Sequence, residues 1–409
     1  MANLQLKKAA RILSQRGLKQ GLRGALTAWA RSFLSTPPNV IGAYDFILLP
    51  VRKEQLPPPD HGPLRINWLV PQVRPGAGGL FNIFRTIYYL EQWGHENRIY
   101  MIGDDSSNGV ATTRLVKDSY FPIKGNVEVF GGEIADSDAL VSTSWMTSYI
   151  GRSIGNTARK YYFVQDLEHM FYPHGSLHEF ARTTYSWGFY GLTAGKWISD
   201  VLSEEYGMRC TSFGFSYDRD TYSSVGPRSL PAGKKRVLAY VRPSTERRGY
   251  ELTILALKLV AVQIPEIEFV LVGYLARPAI LPFNTVTPGI LSVSELAQLY
   301  RSCDVALVLS HTNLSLLPLE LMACGCPVVS NRGPNVEWQL SNENAYLADP
   351  NPESISAAII DLLQNDELRE KKRADALRFS ATTDWIREIK AIEVGLLKGL
   401  GLSKKEVHG

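Results

Sequence analysis

The segment SHTNLSLLPLELMACGCPVVS, residues 310–330, is the feature that most constrains how this chain can fold. The preceding residues RSCDVALVLS predict the end of a helix followed by a buried strand at residues 305–309. A helix is predicted at residues 319–324, because Pro318 is favoured in the first turn of a helix. Gly325 is expected to end that helix, and PVVS begins another strand. Glu320 is therefore expected in the first turn of a short helix between two strands.

This position gives Glu320 two possible roles. Backbone N–H groups at a helix start attract anions such as a diphosphate, and a carboxylate beside them can accept hydrogen bonds from sugar hydroxyls. The alternative is an ordinary turn in which Glu320 only complements the helix dipole. The residues alone leave both interpretations open.

The same segment resembles the nucleotide-sugar-binding segment of family 4 retaining glycosyltransferases. In that family two glutamates eight positions apart precede an A-x-G-x-P-V-V run. Here the second glutamate is Glu320, and the run consists of Ala323, Gly325, Pro327, Val328 and Val329. The first glutamate is replaced by Thr312, so the resemblance implies that Thr312 or Asn313 contacts the donor through neutral hydrogen bonds.

Length and composition set the broad class of protein. A chain of 409 residues suggests two domains of ordinary size, and 45% hydrophobic with 21% charged residues is typical of a soluble globular protein. No stretch approaches ~20 uninterrupted apolar residues, and no secretory signal is recognisable. The four cysteines match neither a disulfide framework nor a zinc pattern. We therefore expect a cytoplasmic protein.

The formal net charge of +4 is unevenly distributed, because no acidic residue precedes Asp45. Seven basic residues are spread through this arm and alternate with apolar ones: Lys7, Lys8, Arg11, Arg16, Lys19, Arg23 and Arg31. A basic helix with an apolar stripe can lie on an anionic membrane surface, which would make residues 1–35 a peripheral attachment at the inner face of the cell membrane. The alternative is that the arm packs on the protein itself or is partly disordered. A nucleic-acid partner is not expected, since no recognition fold accompanies the arm.

Residues from 65 onwards predict a strand, a glycine-rich turn, a helix beginning at Phe81 and a second strand, which is a βαβ unit. A dinucleotide-binding site is the obvious competitor, with Asp104 as the ribose acid. However, Phe81 occupies the third glycine position of that fingerprint and is too large for close helix packing. The resemblance instead implies that Gly78 and Gly79 let the backbone approach the donor phosphate and the acceptor.

The loop QDLEH, residues 165–169, follows a predicted strand at the edge where ligands bind in such sheets. The resemblance aligns the family's His-Asp pair with Gln165 and Asp166. Asp166 and His169 are therefore the candidate catalytic residues on this side. Asp136 and Asp138 form a D-x-D pair, but a hard cation needs several convergent oxygens, and we expect no metal.

A turn-rich linker, residues 222–235, separates this half from a second series of strands and helices. Arg242, Arg247 and Arg248 follow its first strand, and guanidinium groups can compensate a departing diphosphate as a metal would. The resemblance places Arg242 on the family's diphosphate arginine and Arg248 on its lysine. It also implies that the backbone at Leu316 and Leu317 holds the diphosphate. The base would lie against the run of Gly289, Ile290 and Leu291.

Together these patterns predict two Rossmann-like domains facing across a cleft, the architecture called GT-B. The predicted parts are a basic helical extension (1–60), an acceptor-side domain (61–222) completed by a C-terminal helix (380–409), and a donor-side domain (223–379). The chain as a whole resembles bacterial S-layer glycan rhamnosyltransferases, which implies transfer of L-rhamnose from dTDP-β-L-rhamnose to a lipid-linked glycan, with retention and without a cofactor. A nucleotide-sugar epimerase, an NAD-dependent oxidoreductase and a silent glycan-binding module remain alternatives.

Overall fold

The structure, a computed structural model, describes residues 40–60, 62–74, 76, 78–103, 108–227, 234–273 and 281–402. The chain divides into two compact units, Met1–Leu49 and Pro50–Gly409. In the first unit, helix α1 (Val40–Tyr44) is followed by a 3-10 turn at Asp45–Leu48. The predicted membrane arm, residues 1–35, lies outside the described residues. None of the described helices is long and apolar enough to cross a membrane.

The first sheet of the second unit contains seven described strands, all parallel, in the order β3-β2-β1-β4-β5-β6-β7. Their inner positions are occupied almost without a break by buried apolar residues, as expected for parallel strands covered on both faces. The strands are β1 (Arg65–Val70), β2 (Glu96–Met101), β3 (Val127–Val129), β4 (Ser137–Ser142), β5 (Thr157–Val164), β6 (Tyr190–Ala194) and β7 (Cys210–Phe213). The helices between them are α2 (Gly78–Gln92), α3 (Gly109–Ser119), α4 (Trp145–Arg152), α5 (Ser176–Thr183) and α6 (Lys196–Tyr206). Two 3-10 turns lie at Glu168–Phe171 and Thr184–Ser186.

The second sheet contains six described strands, also parallel, in the order β10-β9-β8-β11-β12-β13. The strands are β8 (Arg236–Tyr240), β9 (Glu268–Val272), β10 (Thr285–Val286), β11 (Val305–Leu307), β12 (Val328–Asn331) and β13 (Tyr346–Ala348). The accompanying helices are α7 (Tyr250–Gln263), α8 (Val293–Arg301), α9 (Leu317–Ala323), α10 (Pro334–Glu337), α11 (Pro352–Gln364) and α12 (Asp366–Thr382), with a 3-10 turn at Glu246–Arg248.

The strand order reverses once in each sheet, between β1 and β4 and between β8 and β11. Loops leaving two such strands at their carboxyl ends diverge to opposite faces and leave a crevice where ligands bind. The loops after β5, β8 and β11 carry most of the candidate residues, and the others follow β1 and β10.

The last helix, α13 (Trp385–Leu400), packs against β5, β6 and β7 of the first sheet and against α2. Asp384 caps it, accepting from the Arg387 N–H at 2.8 Å. The approach is close because Gly399 has no side chain, and an added Cβ would lie 2.5 Å from the Tyr161 ring. The predicted C-terminal helix starting near Asp384 is therefore present and returns the chain to the first sheet.

The predicted local elements are largely present. The βαβ unit from Arg65 is confirmed, but α2 begins at Gly78, three residues before the predicted start at Phe81. Helix α9 begins at Leu317 rather than 319, because Leu316 already has helical dihedral angles and Pro318 needs only a helical φ. Gly325, with φ of 75°, follows the helix end. Glu320 is in the first turn, as predicted.

Candidate functional site

Two loops meet at the switch point of the second sheet. The loop after β8 ends in the turn Glu246–Arg248, and the loop after β11 contains Ser310 and His311. The His311 N–H donates to the Arg247 carbonyl at 2.9 Å. Arg248 Nη1 donates to Ser310 Oγ at 2.9 Å. The crevice predicted from topology is therefore lined by a guanidinium group.

The three candidate arginines differ in their surroundings. Arg248 is partly buried, and burial lowers its pKa while the negative charge of Asp166 opposes that change. Arg247 lies with its Cζ 4.0 Å from the centre of the Phe171 ring. The side chain of Arg242 is exposed at the carboxyl end of β8. Two cations are thus held inside the crevice and a third stands at its edge.

Asp166 joins the two domains. It follows β5 of the first sheet, and its Oδ2 accepts from Thr312 Oγ1 at 2.8 Å while its Oδ1 accepts from the Asn313 N–H at 2.9 Å. Arg247 Nε is 3.8 Å from Oδ2. Burial raises the pKa of Asp166, whereas these hydrogen bonds and Arg248 and Arg247 act to lower it. The sequence analysis selected Asp166 and Thr312 independently, and the structure shows that they are hydrogen-bonded to each other.

Asn313 adds further bonds between the domains. Its Nδ2 donates to the Gln165 carbonyl at 2.9 Å and to the Ala194 carbonyl at 2.8 Å. Its Oδ1 accepts from Trp338 Nε1 at 3.0 Å. Thr312 and Asn313 are 2% and 1% exposed. In this arrangement their side chains hold the crevice together rather than project freely into it.

Sequence reasoning missed the residues that support this loop. Asn331 Oδ1 accepts from the Ser310 N–H at 2.9 Å, and Asn335 Nδ2 donates to the Thr312 carbonyl. Trp338 fills the space beside Gly195, where an added Cβ would lie 2.7 Å from the indole. Asn331 ends β12 and the other two residues follow it without any local motif, so only the fold brings them to the site.

Glu320 lies in a second charged cluster. Burial raises the pKa of its carboxyl group to about 7, and the neighbouring Asp218 adds to this, while a hydrogen bond from Tyr222 and the charge of Arg85 act in the opposite direction. Arg85 is buried on α2 and pairs with both oxygens of Asp218, at 2.6 and 3.0 Å. Its guanidinium also lies 4.4 Å from the Trp385 ring centre. Arg85, Asp218 and Tyr222 were not predicted as site residues, since they come from the first domain and the linker.

The glycine-rich start of α2 reaches the same crevice from the first domain. Gln165 Nε2 donates to the Gly79 carbonyl at 2.9 Å, and an added Cβ on Gly79 would lie 3.2 Å from that nitrogen. Gly78 is the first residue of the helix. The Gly79 backbone therefore lies close to Gln165, next to Asp166, and the approach of both glycines to the donor and acceptor stays a prediction. Asp104, the ribose acid of the competing hypothesis, lies outside the described residues.

His169 faces away from Asp166. Its ring is 4.9 Å from that of His178 and 5.7 Å from that of Tyr185, against α5 and the turn Thr184–Ser186. Burial lowers its pKa to about 4, so this histidine is neutral at physiological pH. The structure does not bring it into the Asp166 network, and its catalytic role stays a prediction.

The remaining predicted donor contacts lie on loops at the carboxyl edge of the second sheet. Gly289 has a φ of 75°, and Ile290 beside it is 87% exposed. Leu291 and Leu316 are partly buried, and Leu316 leads into Leu317 at the start of α9. Their contacts with a donor stay predictions.

The two aspartates of the D-x-D pair accept hydrogen bonds from neighbouring residues of the first domain. Asp138 is 3% exposed and accepts from Arg65 Nη2 at 2.7 Å and from the Arg65 N–H at 2.7 Å. Asp136 Oδ1 accepts from Asn156 at 3.3 Å. Within the described ranges, no group of three or more His, Cys, Asp or Glu residues is arranged to hold a metal ion.

Comparison with known proteins finds similar sequences for part of the chain and similar structures for most of it. Residues 235–360 match the family model described as WsaF, C-terminal domain. Over 266 residues, 64% of this chain, it is 32% identical to the O-antigen biosynthesis protein RfbC of Myxococcus xanthus. The chain spans only 21% of the length of that relative.

Solved structures share the fold. Sucrose-phosphate synthase from Thermosynechococcus elongatus superposes with a TM-score of 0.65 at 16% identity, covering 82% of this chain and 98% of that one. Alr3699/HepE from Anabaena, in complex with UDP-glucose, gives a TM-score of 0.60 at 15% identity, covering 83% and 99%. The chain therefore has the GT-B fold, with two parallel-sheet α/β domains, as predicted.

Proposed function

We propose that this protein is a glycosyltransferase that moves a sugar from a nucleoside-diphosphate donor to a carbohydrate hydroxyl. The observation that carries the proposal is the crevice at the switch point of the second sheet, where Arg247 and Arg248 converge within the segment matched by the WsaF C-terminal domain model. The GT-B fold alone would not suffice, because one fold hosts many activities.

In this mechanism the arginines stabilise the departing diphosphate. As the donor bond breaks, negative charge develops on the diphosphate, and cations placed beforehand in a partly buried crevice lower the barrier. Arg248 and Arg247 bind its oxygens, Arg242 joins them from the crevice edge, and the backbone at Leu316 and Leu317 faces them from the start of α9. With this much positive charge the reaction needs no metal ion.

The donor is held by the second cluster and the adjoining loops. Glu320 accepts hydrogen bonds from the hydroxyls of the nucleotide's sugar, and the base lies against Gly289, Ile290 and Leu291. The transferred sugar is near Thr312, where the resembling family has a glutamate. Asp166 accepts a hydrogen bond from Thr312 and so brings a carboxylate to this position from the other domain. Asp166 thus supplies negative charge beside this position while its two oxygens stay bonded to Thr312 and Asn313.

The finer assignment is L-rhamnose from dTDP-β-L-rhamnose, transferred with retention to a growing cell-surface polysaccharide of the S-layer glycan type. It is supported by the match of residues 235–360 to the WsaF domain model and by a relative named for O-antigen biosynthesis. The acceptor would be a lipid-linked glycan at the inner face of the cell membrane, with residues 1–35 as the attachment. His169 acts on the acceptor side only if the turn that carries it rearranges on binding.

A panel of sugar nucleotides that includes dTDP-β-L-rhamnose tests this proposal. Release of the nucleoside diphosphate would be followed with and without a glycan acceptor, and the anomeric configuration of the product determined by NMR. Release that depends on the acceptor supports transfer. Interconversion of the sugar nucleotide without acceptor would instead indicate an epimerase, and glycan binding without any release would indicate a binding module.

The matched variants for this assay are Arg248→Gln and Arg248→Lys. Glutamine removes the charge, whereas lysine, which the resembling family has at this position, keeps the charge but loses the planar pair of donors. We expect much slower release from Arg248→Gln with every active donor and a smaller loss from Arg248→Lys. A fully active Arg248→Gln variant would contradict the role given to this arginine.

A further inference from the structure

Glu168 lies on the first domain, beside Asp166 but with different contacts. It is the first residue of the turn Glu168–Phe171, which follows β5 at the carboxyl edge of the first sheet. Two groups donate to one of its oxygens: Tyr162 donates to Oε2 at 2.7 Å, and the Trp145 N–H at the start of α4 donates to the same atom. The Glu168 N–H in turn donates to Tyr185 at 2.9 Å. The carboxylate is therefore held in one orientation.

The other oxygen is available. Among the residues that the structure describes, none donates a hydrogen bond to Glu168 Oε1, and the side chain keeps partial exposure. Asp166 differs in this respect, because both of its oxygens are occupied by Thr312 and Asn313. A carboxylate with one oxygen fixed and one open is arranged to accept a hydrogen bond from a ligand.

The turn that carries Glu168 faces the donor side. Phe171 of this turn packs under the guanidinium of Arg247, which itself approaches Asp166. Asp166 and Arg247 both act electrostatically on Glu168. His169, the next residue, packs against His178 of α5. Glu168 therefore stands where the first domain borders the arginine-lined crevice.

We propose that Glu168 binds the hydroxyl of the acceptor sugar, with Oε1 accepting the hydroxyl hydrogen bond. This role rests on the proposed glycosyltransferase function and identifies its acceptor-side contact. Asp166 then connects the domains on the donor side, and Glu168 recognises the acceptor. Such a bond would orient the hydroxyl oxygen toward the donor sugar.

Because Glu168 can ionise, its role in acceptor binding predicts a measurable dependence on pH. Burial raises its pKa to about 7, and the charge of Asp166 adds to this. The hydrogen bonds from Tyr162 and the Trp145 N–H, and the charge of Arg247, act to lower it. Tyr185 contacts only its backbone N–H. The ionised form is the better acceptor, so binding of the acceptor should improve as pH rises through about 7.

Glu168→Gln is the direct test. Tyr162 and the Trp145 N–H both need an oxygen, so the glutamine oxygen is held by them and its NH₂ group takes the place of Oε1. A donor then faces the hydroxyl hydrogen. We expect KM for the acceptor to rise about 10-fold to 100-fold, the range for a lost hydrogen bond to a charged group. Donor affinity and acceptor-independent donor hydrolysis should stay within about twofold of the wild type.

Tyr162→Phe and Glu179→Gln complete the experiment. Tyr162→Phe removes a bond that favours the ionised carboxylate, so the pH at which acceptor KM improves should move upward. A merely structural role would leave that pH unchanged. Glu179→Gln, at an exposed carboxylate that pairs with Arg182 on α5, should behave as the wild type.

Two negative results have different meanings. If the wild type transfers sugar and Glu168→Gln leaves the acceptor KM and its pH dependence unchanged, the role of Glu168 is wrong and the proposed function stands. If the wild type transfers no sugar with any donor and acceptor, both fail together. Should Glu168→Gln not fold, the pH profile of Tyr162→Phe decides the question.

Discussion

Replacing Glu320 with glutamine should stabilise the protein above pH 7, although it removes a proposed donor ligand. The carboxyl group is partly buried on α9 with Asp218 nearby, and burial raises its pKa to about 7 from an ordinary value of 4.5. Glutamine has nearly the same shape and keeps an oxygen for the hydrogen bond from Tyr222. It carries no charge that must be desolvated.

The magnitude follows from the two pKa values. A difference of about 2.5 corresponds to about 3 kcal/mol at 1.36 kcal/mol for each pKa unit. Below pH 4.5 the group is protonated in both the folded and the unfolded state, so it costs nothing. Between pH 4.5 and 7 the unfolded state ionises while the folded state stays protonated, and stability is lost progressively. Above pH 7 the wild type carries the full penalty and the Glu320→Gln variant does not.

Urea unfolding of both proteins at pH 4.5, 6 and 8 measures this effect. The free energy of unfolding of the variant, minus that of the wild type, should rise by about 3 kcal/mol across the series. Titrating groups that do not interact with Glu320, such as Glu168, contribute equally to both proteins and cancel in the subtraction. A difference that stays constant with pH would refute the inference that burial of Glu320 raises its pKa. A rise in stability accompanied by loss of donor binding would indicate a carboxylate kept for binding at a cost to the fold.

Four further outcomes are expected. Glu320→Ala should weaken donor binding by about 1 to 3 kcal/mol in calorimetry while the protein stays folded, and unchanged affinity would contradict the donor role of this helix start. Turnover should survive EDTA; loss of activity that Mn²⁺ or Mg²⁺ restores would contradict the charge compensation assigned to the arginines. A double-mutant cycle of Asp166→Asn and Thr312→Val should give a coupling of about 1 to 2 kcal/mol in unfolding free energy, and additive effects would exclude a direct bond. Removal of residues 1–35 should abolish salt-sensitive flotation with anionic vesicles, and equal flotation of the shortened protein would exclude the arm as the attachment.

Much of the site could be anticipated because parallel α/β sheets place ligands at the carboxyl ends of their strands. That rule selected the loop containing Asp166 without any knowledge of its contacts, whereas the resemblance to family 4 glycosyltransferases pointed to Arg248 and Thr312. The position of Glu320 in the first turn of a helix was predictable from its neighbours alone, because Pro318 favours the start of a helix and Gly325 its end. The predicted and observed helices differ mainly at their ends, as in the early start of α2 at Gly78. At those positions the capping residues, as well as the apolar pattern, decide where the helix begins.

His169 shows where such reasoning stops. Its proximity to Asp166 along the chain suggested a shared site, yet a 3-10 turn directs its ring toward His178. Glu168, one residue earlier, bonds Tyr162 and the Trp145 N–H through one oxygen and keeps the other available. Side-chain direction within a single turn depends on what packs against it, and the aromatic residues that do so come from α5 and neighbouring segments.

What the sequence determined by itself was the alternation of strands and helices in two successive series. These follow from apolar periodicity and turn residues, which act over a few positions. Only the tertiary structure decided that Asp166 pairs with Thr312, 146 residues away, and that Arg85 and Asp218 surround Glu320. Local patterns carry no information about such pairs. They form because packing of the two domains and the return of α13 bury these polar groups together, where each must find a partner or remain charged at a cost.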